Sequence, residues 1–325
     1  PTDNPSLAVV YFENNSGKPD LDHWRSGLCE LLITDLSQSR FLHVLSGDKI
    51  YGLLDQNGLL DEEKYSDEDL RKIAAQGGVN HILRGSYMTA GDTFIVSISL
   101  LKAGTGEVIK SLREAGSGEE SLTESVDRIT RPLTAALDFT PQQMEADIDR
   151  QVGIVTTRSP DAYKHYVEGI HYDIKGNYPK VVESMKKAVS IDPEFAAAYH
   201  ALSWAYGNQG YNAEAKKYLT KAMELSERLS VREIYWIEGA YYLEVKADLT
   251  RAEEALKNLI DLYPDDISAH NYLGIVYRGL NDEDRAVHHY SRAIELGTED
   301  VAIYTNLGAV YRGQGKLDKE RELLE

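Results

Sequence analysis

Nine histidines and one cysteine are the side chains of this 325-residue chain best suited to hold a metal or move a proton near neutral pH. Their spacing favours neither task. His23, His43 and His81 are scattered. His288 and His289 are neighbours on an expected helix, so they face different directions and cannot chelate as an i, i+4 pair would. His165 and His171 are six apart, which is also wrong for one metal on one helix. Surface or packing roles are the expectation for these histidines. With Cys29 alone, no internal disulfide and no thiolate cluster can form. Leu28, Leu31 and Leu32 around it predict a small buried hydrophobe and not a reactive thiol. The glycine-rich EAGSGEE at 114–120 lacks the Lys-Ser/Thr partner of a phosphate loop, and GTGEV reads as a hairpin turn. The acidic run DEEKYSDED at 61–69 lacks the Asp-x-Asp-x-Asp-Gly spacing of a calcium loop. It reads as a solvated helix start capped by Ser66 or Asp67. No catalytic residue, metal site or cofactor follows from these patterns.

The formal net charge of −18 points away from nucleic acid, because a surface that tracks phosphates needs a basic stripe. Anionic membrane is disfavoured for the same reason. No run of 18 apolar residues occurs, so this segment is not expected to insert in a membrane. No secretory leader pattern is visible. The chain opens PTDNPSLAVV without Met and closes on KERELLE inside a helical pattern. The expectation is a piece of a longer protein.

These side chains must be positioned by two kinds of element. The first half alternates strands and helices. LAVVYF at 7–12 and FLHVLS at 41–46 read as strands. Residues 21–38 read as a helix with Leu21, Trp24, Leu28, Leu32 and Leu36 on one stripe. Residues 47–54 and 67–76 look helical. HILRGSYM, TFIVSISLL and EVIKSL, separated by AGD and AGTG, predict an antiparallel meander. A last helix spans about 119–137, with Leu122, Val126, Ile129, Leu133 and Leu137 on its apolar face. The result is a helix layer on a mixed sheet. PQQMEADIDRQVGIVTTRSP joins the halves as a short helix and a loop, with Ser159 capping the next helix and Pro160 at its first position.

The second half repeats itself. Leu273 and Leu307, Gly274 and Gly308, and Tyr277 and Tyr311 are each 34 residues apart. Tyr172 and Tyr206, and Ala188 and Ala222, keep the same step, and Gly169 aligns with Ser203. These residues resemble the tetratricopeptide repeat, a helix–turn–helix unit of 34 residues. The first unit, from Ala162, carries Gly169, Tyr172, Val181, Met185, Ala188 and Pro193. The second carries Tyr199, Leu202, Tyr206, Ala215, Leu219 and Ala222, with Glu227 where Pro is expected, and three extra residues then shift the register. The third carries Trp236, Ala252, Leu256 and Pro264 but lacks the Leu-Gly pair. The fourth carries Leu273, Gly274, Tyr277, Ala286, Tyr290 and Ala293. The fifth, with Tyr304, Leu307, Gly308 and Tyr311, runs out of chain. Small residues let the two helices of a unit approach, large ones fill the space between units, and Pro ends the second helix.

The resemblance implies a right-handed superhelix whose first helices line a groove through positions 2, 5, 9 and 12. On this sequence those positions include Tyr163, Tyr166, Ile170, His200, Trp204, Ile237, Tyr241, Asn271, Ile275, Arg278, Thr305 and Arg312. The early part is aromatic and apolar. The later part is polar, with two arginines one repeat apart. Such a groove suits an extended or helical segment with apolar anchors and then a carboxylate near Arg278 and Arg312. Several of the aromatics, Tyr163, Trp204 and Tyr241 among them, are equally explained as inter-repeat core.

AVVYFENNSG, W-x-x-G-L at 24–28, ILRGSY, GDTFIVSISLL and TGEVI are similar to a TolB-type amino-terminal domain that precedes tetratricopeptide repeats in bacterial signalling chains. The resemblance implies an accessory region attached to a kinase, a nucleotide cyclase or a winged-helix regulator. In several such layouts a membrane span lies between the two, which favours an extracytoplasmic place. The fold expectation is α/β plus all-α: a small mixed-sheet α/β domain at 1–140, a linker at 141–159 and about four and a half repeats at 160–325. The functional expectation is a non-enzymatic interaction or sensory region that binds a protein or peptide in the repeat groove. Alternatives are the regulatory region of a kinase or cyclase whose catalytic domain lies elsewhere, a small-ligand receptor, or self-association.

Overall fold

The Leu-Ala-Val stretch of strand β1 (Ser6–Val9) has no polar alternation because both of its faces are covered. In the computed structural model, which describes residues 5–137, 139–147, 150–264, 266–296 and 301–324, β1 lies between two parallel neighbours. These are β3 (His43–Val44) and β4 (His81–Ala90). The LAVVYF run leaves the ladder after Val9 and pairing resumes at β2 (Glu13–Asn14), parallel to β4. β5 (Thr93–Lys102) and β6 (Val108–Ser117) complete the expected meander, giving the order β3-β1-β4-β5-β6. Ala90 pairs with Thr93, and Gly91 takes φ +61° in the two-residue turn between them.

Helix α1 (Trp24–Leu36) is covered around most of its circumference, not along one stripe. Leu28, Cys29, Leu31 and Leu32 have no exposure. It is a central helix, packed on β1 on one side and on later helices on others. The Cys29 thiol donates to the Val9 carbonyl at 3.2 Å, and burial pushes its pKa well up, so it is a packing residue. Helix α2 (Gly47–Gln56) starts at the cap Ser46. Helix α3 (Asp67–Gly77) starts at a reciprocal cap in which Ser66 and Asp69 bond each other's backbone N–H. Helix α4 (Leu122–Ala135) follows β6. The joining segment forms α5 (Pro141–Ala146) and α6 (Val152–Val155); Ile148 and Asp149 in it lie outside the described residues. Gln38 grips both the N–H and the carbonyl of Arg150, holding this segment to the end of α1.

Two compact units make up the chain, residues 1–209 and 210–325. The first adds α7 (Pro160–Ile174), α8 (Tyr178–Ile191) and α9 (Ala196–Asn208) to the α/β layer. Ser159 caps α7 and Pro160 opens it, as the sequence predicts. The second unit holds α10 (Asn212–Glu224), α11 (Val231–Tyr241), α12 (Leu249–Leu262), α13 (Ile267–Gly279), α14 (Glu283–Glu295), α15 (Val301–Gly313) and α16 (Leu317–Leu324). Its core joins Leu256, Leu273, Val276, Ala286, Tyr290 and Leu307.

One contact recurs in three of the helix pairs. A Cβ on Gly169 would lie 2.5 Å from the Met185 methyl, and one on Gly274 would lie 2.5 Å from the Tyr290 ring. The third repeat has the same contact, which the sequence reading missed. A Cβ on Gly239 would lie 2.6 Å from Leu256. Gly239 does the work of the absent Leu-Gly pair, one residue earlier than the repeat register predicts. The extra residue is absorbed by a π-helical turn over Tyr242–Lys246, which ends on Ala247 at φ +54°.

Candidate binding groove

The groove positions of the first unit lie on α7 and α9. Tyr163 is not among the exposed ones. It is 3% accessible, its hydroxyl donates to the Gly27 carbonyl at 3.2 Å, and its ring stacks on Trp24 at 5.9 Å. The W-x-x-G-L stretch is therefore the seat of the first repeat helix: Trp24 supplies the platform and Gly27 the acceptor. The Trp24 indole N–H donates to Glu119 at 2.5 Å. Tyr166 and Ile170, one and two turns further along α7, are half-buried, with Tyr166 4.8 Å from the Phe195 ring. On α9, burial lowers the His200 pKa to about 4, so its imidazole is neutral at pH 7. Trp204, one turn on, is 40% exposed.

Three carboxylates from three elements meet this surface. Residues 163, 166, 170 and 173 share one broad face of α7, which places Asp173 on the Tyr166 side. Gly27 and Glu30, one turn apart on α1, share the face that receives Tyr163. The Glu30 carboxylate lies over the first residue of α2, where a Cβ on Gly47 would sit 2.1 Å from Oε1, and Asp48 is the next residue. Tyr11, just beyond β1, meets His171 of α7 with ring centroids 6.5 Å apart. Burial, then the Asp48 charge, raises the Glu30 pKa to about 7. Burial, then Asp48 again, raises Asp173 to about 6. Asp48 is exposed, and crowding by neighbouring protein raises its pKa only in part against solvent. Asp173 Oδ1 and His171 Nε2 are buried without a hydrogen-bond partner.

The second unit carries the remaining candidate positions. Ile237 has no exposure and belongs to the core; its buried place follows from the one-residue shift, which turns the half-buried Trp236 toward Tyr272 instead, with ring centroids 5.2 Å apart. Tyr241 is half-buried beside Tyr242, with Lys246 Nζ 5.4 Å from its ring centre. Asn271 and Ile275 are half-buried, and Asn271 Oδ1 is buried without a partner. Arg278 is exposed and donates to Asn306 Oδ1 at 3.3 Å. Thr305 is exposed, and its hydroxyl returns to the Val301 carbonyl of its own helix at 2.8 Å. Arg312 is not available in the way the sequence suggests, because its guanidinium is held by Glu320 of α16. The two arginines are thus not an equivalent pair.

Three residues of this surface were missed. Asp173 stands at position 12 of the first repeat, the position of Arg278 and Arg312, and counting alone would have found it. Glu30 and Asp48 have no local signal, since they join the surface through packing between segments far apart in sequence.

The tetratricopeptide repeat family model matches residues 196–228, which hold α9 and α10. A Rhizobium meliloti (strain 1021) protein named as a candidate adenylate cyclase is 27% identical over 230 residues. That is 69% of this chain and 37% of the relative, so the chain spans little more than a third of that protein's length. Among solved structures, a thermophilic tetratricopeptide-repeat protein of Thermus thermophilus is 20% identical. It covers 50% of this chain and 87% of its own at TM-score 0.40. YrrB, described as a tetratricopeptide-repeat protein with an unusual peptide-binding site, is 18% identical. It covers 50% of this chain and 83% of its own at TM-score 0.34.

Proposed function

We propose that the first helices of the repeats bind a segment of a partner protein, and that this region is a non-enzymatic interaction or sensory part of a bacterial signalling or envelope protein. The observation that carries the reading is Trp204. A tryptophan 40% exposed on the first helix of the matched repeat is the kind of aromatic anchor that dominates recognition surfaces, and Tyr166 and Ile170 keep partial exposure on α7. The repeat match supports protein binding as the general role. The cyclase name of the Rhizobium relative describes a protein of which this chain spans a minority, and none of that activity is assigned to these residues. The resemblance to a TolB-type domain supports an accessory role for the α/β layer. In the later groove the carboxylate subsite reduces to Arg278, since Arg312 already has its acid.

Panning a random-peptide display library on the whole chain tests this. It should enrich a sequence family whose synthetic peptide binds at least about tenfold less tightly to Trp204→Ala, with the melting temperature of that variant unchanged. Peptides indifferent to Trp204→Ala, or none enriched, would overturn the reading.

A further inference from the structure

The sheet in residues 1–209 ends differently on its two sides. On one side lie β2 and β3, each two residues long, which offer a neighbouring strand almost nothing to pair with. On the other lies β6, ten residues long and free of proline. Its one irregularity, between Leu100 and Leu101 of β5, falls near its start. Helix α4 covers a face of β6: Arg128 Nε donates to Glu114 at 2.8 Å, and a Cβ on Gly116 would lie 3.6 Å from the Ser125 hydroxyl. An edge of this length presents a row of N–H and C=O groups that invites a further strand.

The ladder fixes where those groups point. Ala90 pairs with Thr93 across a two-residue turn, so Thr93, Ile95, Ser97 and Ser99 turn their N–H and C=O to β4. Phe94, Val96, Ile98 and Leu100 turn theirs to β6, where their partners are Gly116, Glu114, Leu112 and Lys110. The Gly118 N–H, which donates to the Asp92 carbonyl at 2.7 Å, continues the series. Ser111, Arg113 and Ala115 therefore aim their backbone groups at the open side. Among the described residues no backbone partner meets them there.

The side chains select the strand that fits. Lys110, Leu112 and Glu114 share one face. Lys110 is exposed and forms no ion pair among the described residues. The Glu114 side chain keeps 30% exposure beside Arg128, and a carboxylate can accept from more than one donor. Consider a second, antiparallel copy of β6. Centred on Leu112, it sets Lys110 opposite Glu114 of the other copy, twice by symmetry, and Leu112 opposite its own equivalent. Ser111 and Arg113, both outward, then exchange backbone hydrogen bonds. Centred on Arg113 or on Glu114, it would set like charges directly opposite, which is unfavourable. Centred on Ser111 or on Ala115, it would match no opposite charges within the strand. One register is thus favoured by charge and by backbone direction together. Since the far side of each sheet is blunt, such pairing closes at two chains.

We propose that β6 is a dimerisation edge: two copies of this chain join their sheets through antiparallel β6–β6 pairing centred on Leu112, with Lys110 of each copy on Glu114 of the other. Dimerisation through this edge is independent of the groove.

Sedimentation equilibrium of the whole chain tests it. With rising concentration the average mass should climb from the monomer's toward twice that value. Arg113→Pro removes an outward N–H that no bond within the chain uses. It should weaken association at least about tenfold and leave the melting temperature of the monomer unchanged. Lys110→Glu and Glu114→Lys should each weaken association about tenfold, because each sets like charges opposite. Mixing these two variants should restore it, since every cross-strand pair of the mixed dimer is again of opposite sign. A chain that stays monomeric at every concentration, whether or not the edge takes up a foreign peptide, overturns the proposal. So does a dimer indifferent to Arg113→Pro, or a pair of charge variants that mixing does not rescue.

Discussion

In residues 210–325 the inward-turning polar groups mostly bring their own partners. Glu253 accepts the Tyr277 hydroxyl at 2.9 Å and Arg285 at 3.3 Å, and Arg285 lies 4.2 Å over the Tyr277 ring. Glu244 accepts the Tyr272 hydroxyl at 3.0 Å. His270 and His289 share a 3.0 Å contact between their Nδ1 atoms. Since His270 Nε2 is the atom facing the Pro264 carbonyl at 3.1 Å, it must carry the proton, and His289 Nδ1–H must donate to His270. In residues 1–209, by contrast, burial raises the pKa of Glu30 and of Asp173, and Asp173 Oδ1 has no hydrogen-bond partner. A buried polar group with a partner helps to specify a fold; one left without a partner costs stability.

The pH response should sharpen this contrast most. Folding raises the Glu30 pKa from its ordinary 4.5 to about 7, so its contribution is fully present below 4.5 and is lost as pH rises through 7. The full shift corresponds to about 3 kcal/mol, less what solvent at its partly open edge screens. Glu30→Gln should therefore raise the melting temperature markedly at pH 8 and hardly at pH 5. Equal shifts at both pH values would mean that the carboxylate is not uncompensated. His289 runs the other way. Burial, then the charges of His270 and His288, lowers its pKa from 6.5 to about 4. The stability it contributes is present above 6.5 and is lost as pH falls through 4, so His289→Phe should flatten the acid limb of a pH titration of unfolding.

Glycine substitutions separate the units next. Gly274→Ala drives a methyl into the rigid, fully buried Tyr290 ring. Overpacking of up to about 3 kcal/mol, offset by about 1 kcal/mol of helix propensity, should leave a net loss of about 2 kcal/mol in urea unfolding. Gly169→Ala meets Met185 mainly at its end methyl, 2.5 Å away, with Sδ at 3.3 Å; that flexible chain can shift, so the substitution should be nearer to neutral. Equal losses at both sites would show that the helix pairs do not differ as their contacts suggest.

The smallest effect concerns the arginines. Arg312→Gln breaks the pair of a solvent-facing guanidinium with Glu320 and should leave the urea midpoint almost unchanged. It should leave peptide affinity unchanged, whereas Arg278→Glu should weaken any peptide that reaches the later groove with a carboxylate. Loss of affinity in Arg312→Gln would restore the two-arginine site that the sequence suggests.

Much of the fold was legible. The meander, the Ser66 and Ser159 caps, Pro160 and the helix pairs all follow from local chemistry, as does the buried place of Cys29. Single-stripe patterning failed for α1 because a central helix has little solvent face to mark. The exposure of the candidate groove positions was legible only in part. Tyr166, Ile170, Trp204 and Arg278 keep some exposure where the repeat register puts them, whereas Tyr163 and Ile237 are core. Tyr163 was lost to the seam with Trp24, and Ile237 to one residue of π-helical turn, neither of which leaves a local trace in the sequence.

By itself the sequence determined the elements and their pairing, because hydrophobic period, caps and small-to-large spacing act over one or two turns or one hairpin. Only the tertiary structure decided which aromatic became a seam and which an anchor. It alone brought Tyr163 to Gly27 and Glu30 to Gly47, since packing acts between groups adjacent in space, whatever their separation along the chain.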